Sequence, residues 1–214
     1  MDKITFSVWD IFNFMMSGLL AFVGLCAHLS FNASIDLTGA VKGLQGTEVA
    51  SLAVAIPVVS ILIGMTIEPL SNYFDKYFLS LPFKLARGNK TTQIDKELAV
   101  LVGLAKKEMP DSFAASFENP FFLCKEYLDR KKINNTYEIF LARFGFYRNC
   151  SLIFTALAVG TAYSQKLSES SFIATFTLVV AAFIFKFRSM QFYEYQGPAV
   201  LRAFLIDRQM IKES

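Results

Sequence analysis

Long stretches without Asp, Glu, Lys or Arg alternate in this chain with segments where those residues are concentrated. The first stretch runs from Ile11 to Leu29 and the second from Val49 to Ile67, nineteen residues each. A third lies between Arg148 and Lys166 and a fourth between Glu169 and Lys186, seventeen and sixteen residues long. About twenty apolar residues carry an α-helix across the hydrocarbon core of a bilayer. The pattern predicts an all-α integral membrane protein with four transmembrane helices and a small helical cytoplasmic domain between spans two and three. The last two spans are short alone. The connector "SQKLSES" makes them a helical hairpin, lengthened by helix that continues beyond the membrane. Trp9 stands where an interfacial anchor belongs, and Pro57 predicts a kink in the second span.

Composition agrees. Charged residues make up 18% of the 214 residues and the mean hydropathy is +0.41, whereas a soluble domain is about a quarter charged. Distribution says more than the net charge of +3. Nineteen of the twenty-one Lys and Arg fall in the N-terminus, the segment from Ser71 to Arg148 and the tail. Only Lys42 and Lys166 lie in the other two loops. Positive charge stays on the cytoplasmic side, so both termini and the middle segment are expected there. Lys3 alone precedes the first run and no small-x-small site follows it, so a cleavable signal is not expected. The resulting organisation is an N-terminal transmembrane pair at 1–70, with spans at about 11–29 and 49–67, and a helical domain at 71–148. A transmembrane hairpin follows at 149–187, with spans at about 149–165 and 170–185, then an amphipathic tail at 188–214.

The middle segment reads as helices. "TTQIDKELAVLVGLAKKEM" sets Ile94, Leu98, Leu101, Val102 and Ala105 on one stripe, with Thr92 as cap. "ENPFFLCKEYLDRKK" opens with Asn119 as cap before Pro120 and ends in basic residues suited to a helix C-terminus. "NNTYEIFLARFGFYRN" is capped by Asn135 or Thr136 and runs into the third span. In the tail, Gly197-Pro198 is expected to break the helix before a second one gathers Val200, Leu201, Phe204 and Leu205.

No catalytic constellation is present. The single histidine, His28, has no acid or cysteine at ligand spacing, and no nucleophile elbow, phosphate loop, dinucleotide fingerprint or HExxH occurs. Cys26, Cys124 and Cys150 lack metal-ligand spacing and read as reduced packing residues. The expectation is no enzyme, no cofactor and no metal. Glu68, directly before Pro69 at the inner mouth of span two, is an ionisable group at a costly depth. Either it pairs with Arg143 or Arg148 as a clamp between spans two and three, or it lines an ion pathway. Gly18, Ala21, Gly24, Ala53 and Pro57 are expected at helix contacts, with small-residue faces buried in a homo-oligomer. Lys106, Lys107, Arg130, Lys131, Lys132, Phe192, Tyr193 and Phe204 are expected to dock a soluble cytoplasmic protein or the membrane lipid surface. Aromatic interleaving around the basic residues is slight, so nucleic acid is not expected to bind directly.

The basic helical segment leading through "RFGFYRN" into a short hairpin, followed by "FRSMQFYEYQGPAVLRAFL", resembles small four-span membrane proteins of bacterial anti-phage defence loci, a class that includes the Kiwa membrane subunit. The resemblance covers layout, size and span count and transfers no functional residue. It implies a multi-pass protein of the bacterial inner membrane that senses membrane perturbation or infection and recruits a cytoplasmic partner. The alternatives are a pore-forming, membrane-depolarising abortive-infection effector and a small channel or transporter.

Overall fold

The computed structural model describes residues 8–33, 47–76, 93–109, 120–133, 136–164 and 169–213. The caps expected at Thr92, Asn119 and Asn135 lie outside them. The described residues form six helices and no strand: α1 Val8–Ala33, α2 Thr47–Phe74, α3 Gln93–Lys107, α4 Phe121–Lys131, α5 Thr136–Ser164 and α6 Glu169–Glu213. Three segments are long and apolar enough to cross a membrane, Val8–Ser30, Ala50–Phe74 and Glu169–Gln209. The protein is therefore all-helical over the described residues, with helices of membrane-spanning character.

Two compact units emerge. One takes α1, α2, α5 from Ala142 onward and α6 as far as Ser189; the other takes α3, α4, the start of α5 and α6 from Met190 onward. In the first unit, α1 and α2 touch backbone to backbone. A Cβ on Gly18 would overlap the Ser60 carbonyl, and one on Gly64 would overlap the Phe14 carbonyl. Ser60 and Gly64 are four residues apart, the small-xxx-small spacing that lets helices approach when lipid supplies no hydrophobic drive. The α1 and α5 helices run parallel: Asn13 lies against Gly145, Gly24 against Leu157 and His28 against Gly160. The upper part of α6 is tied to α5 where Ser151 Oγ donates to the Ala182 carbonyl at 3.0 Å and where Phe154 stacks on Phe185 at 5.2 Å.

Many of this unit's buried side chains are polar, beside apolar ones such as Phe14 and Ile153, and many of its large apolar ones lie on the outside. Ser17, Asn149, Ser151, Ser171 and Ser189 are fully buried, while Val54, Leu62, Ile173 and Phe176 are exposed. Water would penalise that arrangement heavily. Hydrocarbon does not penalise exposed apolar side chains, and Ser151 Oγ and Asn149 Oδ1 find partners on neighbouring helices.

The second unit is built the ordinary way. Ala105 of α3, Cys124 and Leu128 of α4, and Val200, Leu201 and Phe204 of α6 form an apolar core, with Leu98, Leu101 and Val102 packed against it. Four of the five residues of the stripe expected on α3, all but Ile94, belong to this core or pack on it. One expectation is corrected: α6 runs unbroken through Gly197-Pro198. An interior proline costs about 3 kcal/mol, but burying each of Val200, Leu201 and Phe204 returns roughly 1.5–3 kcal/mol. Beyond the proline the helix is held by its neighbours. The N-cap position of α4 is Pro120, and its side chain makes no capping bond. The helix ends at Lys132, in the left-handed region at φ 56°, where the Lys132 and Ile133 amides donate to the Asp129 and Leu128 carbonyls.

Candidate functional site

The last two turns of α2 carry Glu68, Ser71, Asn72 and Asp75, the i, i+3, i+4, i+7 positions of one helical face. Asp75 begins a π-helical turn that extends α2 by two residues. Opposite this face stand Arg148 and Asn149 of α5 and Lys186 of α6. Arg148 Nε donates to Ser71 Oγ at 3.1 Å, one Nη donates to Asn72 Oδ1, and the other lies 3.5 Å from Glu68 Oε1. The flat face of its guanidinium covers the Phe144 ring, 4.9 Å from the centroid. The Ser71 hydroxyl proton has two acceptors within reach, Asn149 Oδ1 and the Glu68 carbonyl at 2.9 Å. Lys186 Nζ pairs with Asp75 Oδ1.

Arg148 and Lys186 are only 6% and 3% exposed, so neither charge is hydrated and each depends on its carboxylate. Glu68 faces Arg148, and Asp75 pairs with Lys186. Asp10, in the first turn of α1, is close enough for Glu68 to feel its charge. The physical consequence is a latch. The end of α2 is joined to α5 and to α6 by charge-assisted hydrogen bonds in a low-dielectric interior, and separating it from either strands a buried charge. The cluster contains no nucleophile set against a base. Among the described residues no three His, Cys, Asp or Glu side chains converge on a point that would hold a metal ion.

The expected clamp thus has Glu68 and Arg148 within ion-pair distance, while Arg143, five residues earlier on α5, has an exposed side chain. Five members of the cluster were missed: Ser71, Asn72, Asp75, Asn149 and Lys186. Helical spacing continued past Glu68 would have picked out the first three. Lys186 marks only the end of a span in the sequence, and Asn149 only the start of one. Of the helix-packing candidates, Gly18 sits at the α1–α2 contact and Gly24 against Leu157. Ala21 lines a groove, Pro57 is half-buried, and Ala53 is exposed on the chain, because α2 meets α1 through Ser60 and Gly64 instead.

The docking candidates all fall in the second unit. Lys107, Arg130, Lys131, Lys132 and Tyr193 are exposed, and Lys106 is half-buried. Arg130 pairs with Glu126 at 2.6 Å. Lys131 Nζ donates to Asp207 Oδ2 at 2.8 Å, and Tyr127 donates to the same oxygen at 2.7 Å. The hydrogen bond to Asp207, then that to Tyr127, raises the Lys131 pKa above its usual value. Phe192 is half-buried against Phe140, 6.2 Å between centroids. Phe204 is a correction: at 2% exposure it belongs to the core and has no surface to offer a partner. Its helix turns that face inward, edge-on to Tyr127 at 5.3 Å. Burial raises the Cys124 thiol to about 12, which leaves it an inert packing group.

No protein-family model, no curated protein and no solved structure matches the chain.

Proposed function

We propose that the chain is a non-enzymatic, oligomeric multi-pass protein of the bacterial inner membrane, with both termini and the middle segment cytoplasmic. It registers membrane perturbation or infection and recruits a cytoplasmic protein, in anti-phage defence. One observation supports this reading above the others. Asp10, Glu68, Arg148 and Lys186, which bound four apolar runs in the sequence, meet at one end of the helices of one unit. Four crossings with their positive-inside ends on one face would produce that meeting. In this reading α5 supplies the fourth crossing, the start of which is polar because partner helices shield it.

From the latch, α5 and α6 each continue without a break into residues of the apolar-core unit. A bilayer change that shifts α2 against α5 and α6 strains the latch. The strain is felt by helices that also build the unit carrying the exposed basic residues. Switching of this kind needs a two-state element biased by a local change in charge or packing.

The test is capture from cytosol by the intact chain in its membrane. Wild type should retain a soluble protein that Lys106→Glu/Lys107→Glu or Arg130→Glu/Lys132→Glu releases while the variants stay folded. Deleting the tail cannot serve, because it would remove Val200, Leu201 and Phe204 from the core. No retained protein, together with collapse of membrane potential on expression, would replace this reading with the pore-forming effector.

A further inference from the structure

Between α1, α2 and α5 lies a groove of about 590 Å³ that the latch does not use. Its walls are apolar, with Leu25, Ile67 and Leu152 among them, and it is roomy because Ala21, Ala156 and Gly160 stand where larger side chains would fill it. The groove is open to its surroundings, so whatever surrounds these helices fills it. Water is a poor occupant, since it needs two to four polar partners and the walls offer none along their length.

The surroundings decide what remains. Two of the three walls, α1 and α2, are membrane-length apolar helices, so the medium that reaches the groove is lipid hydrocarbon. From Leu152 to Gly160 the groove follows α5 for roughly 12 Å at 1.5 Å per residue. Polar atoms are confined to its two ends. Tyr73 stands at the end of α2 that carries Asp75, and His28 Nε2 lies 3.4 Å from Ser164 Oγ at the other. We propose that the groove binds one acyl chain of a membrane phospholipid, with the ester region at Tyr73. This goes beyond the sensor reading and does not depend on it.

Spin-labelled phosphatidylglycerol in vesicles that contain the full-length protein tests the assignment. Beyond the lipid layer that contacts any membrane protein, wild type should immobilise one additional chain per protomer. Ala156→Phe and, separately, Ala21→Leu should abolish that additional chain. Ile173→Phe, on an exposed face of α6, should leave it in place. The proposal is overturned if both groove-filling variants immobilise as much lipid as wild type. It is equally overturned if Ala156→Cys cross-links efficiently between copies at high lipid-to-protein ratio, since a second chain would then fill the groove.

Discussion

In the unit built on α1 and α2, the buried side chains include Ser17, Ser60, Asn149, Arg148 and Lys186; in the unit built on α3 and α4 they are Cys124, Leu128, Val200, Leu201 and Phe204. The same chain thus buries opposite chemistry in two places. On the proposed reading, the difference lies in the solvent around each unit. Where water surrounds a helix bundle, removing apolar area from it is the main drive to fold. Where hydrocarbon surrounds it, that drive vanishes, and close backbone approach and internal polar bonds hold the helices instead.

The largest expected effect concerns the latch. Asp75→Ala leaves the Lys186 ammonium buried without its carboxylate and should cost about 3–5 kcal/mol, measured by unfolding in mixed micelles. Asp75→Ala with Lys186→Met should recover most of that loss. If the double variant is no more stable than the single one, Lys186 is not the partner that matters. Phe204→Ala should cost a similar amount, about 3–5 kcal/mol, through the cavity it leaves in the apolar core. Phe183→Ala, with half of its surface exposed in the first unit, should cost far less. Equal losses would mean that both units are held in the same way.

A single kind of substitution should also change sign between the two regions. Gly64→Ala drives a methyl group into the Phe14 backbone and should destabilise by about 1–3 kcal/mol. A Cβ at Gly103 meets nothing within 4 Å, so Gly103→Ala should stabilise α3 by about 1 kcal/mol through helix propensity alone. Destabilisation in both would place the α3 surface against something.

Smallest is the effect of alkali on the second unit. Because folding raises the Lys131 pKa, the folded state holds its proton more tightly than the unfolded state does. The Lys131 contribution is therefore complete below the unfolded value, about 10.4, and is lost as pH rises through the folded one. Lys131→Met should flatten that alkaline part of the stability profile; a profile unchanged by the substitution would remove Lys131 from the account.

Much of the fold was legible because helices bury faces at a fixed period. Leu98, Leu101, Val102 and Ala105 of the α3 stripe and the cluster at Val200, Leu201, Phe204 and Leu205 follow it, and both serve the apolar core. Gly197-Pro198 misled because local propensity was allowed to outweigh packing that only the tertiary structure supplies. Phe204 misled for a related reason: an aromatic residue on an amphipathic helix can face a partner or its own core, and spacing alone does not choose. The polar cluster was half legible. Glu68 and Arg148 stood out as charges at the ends of apolar runs. Ser71, Asn72 and Asp75 lay just past the point where hydropathy stops distinguishing a span from a loop. Lys186 looked like a boundary marker because a lysine there satisfies charge bias whether it faces water or a carboxylate.

The central claim is that α2 and α5 are joined through the polar cluster while the protein sits in its membrane. Ser71→Cys with Asn149→Cys, in a chain where Cys26, Cys124 and Cys150 are alanine, tests it directly with a short thiol-to-thiol cross-linker, because the two native side chains are hydrogen-bonded. In native membranes the cross-linker should join the two positions within one chain, and Val54→Cys with Asn149→Cys should give no such product. No cross-link between positions 71 and 149, or one formed only between separate chains, would contradict the account.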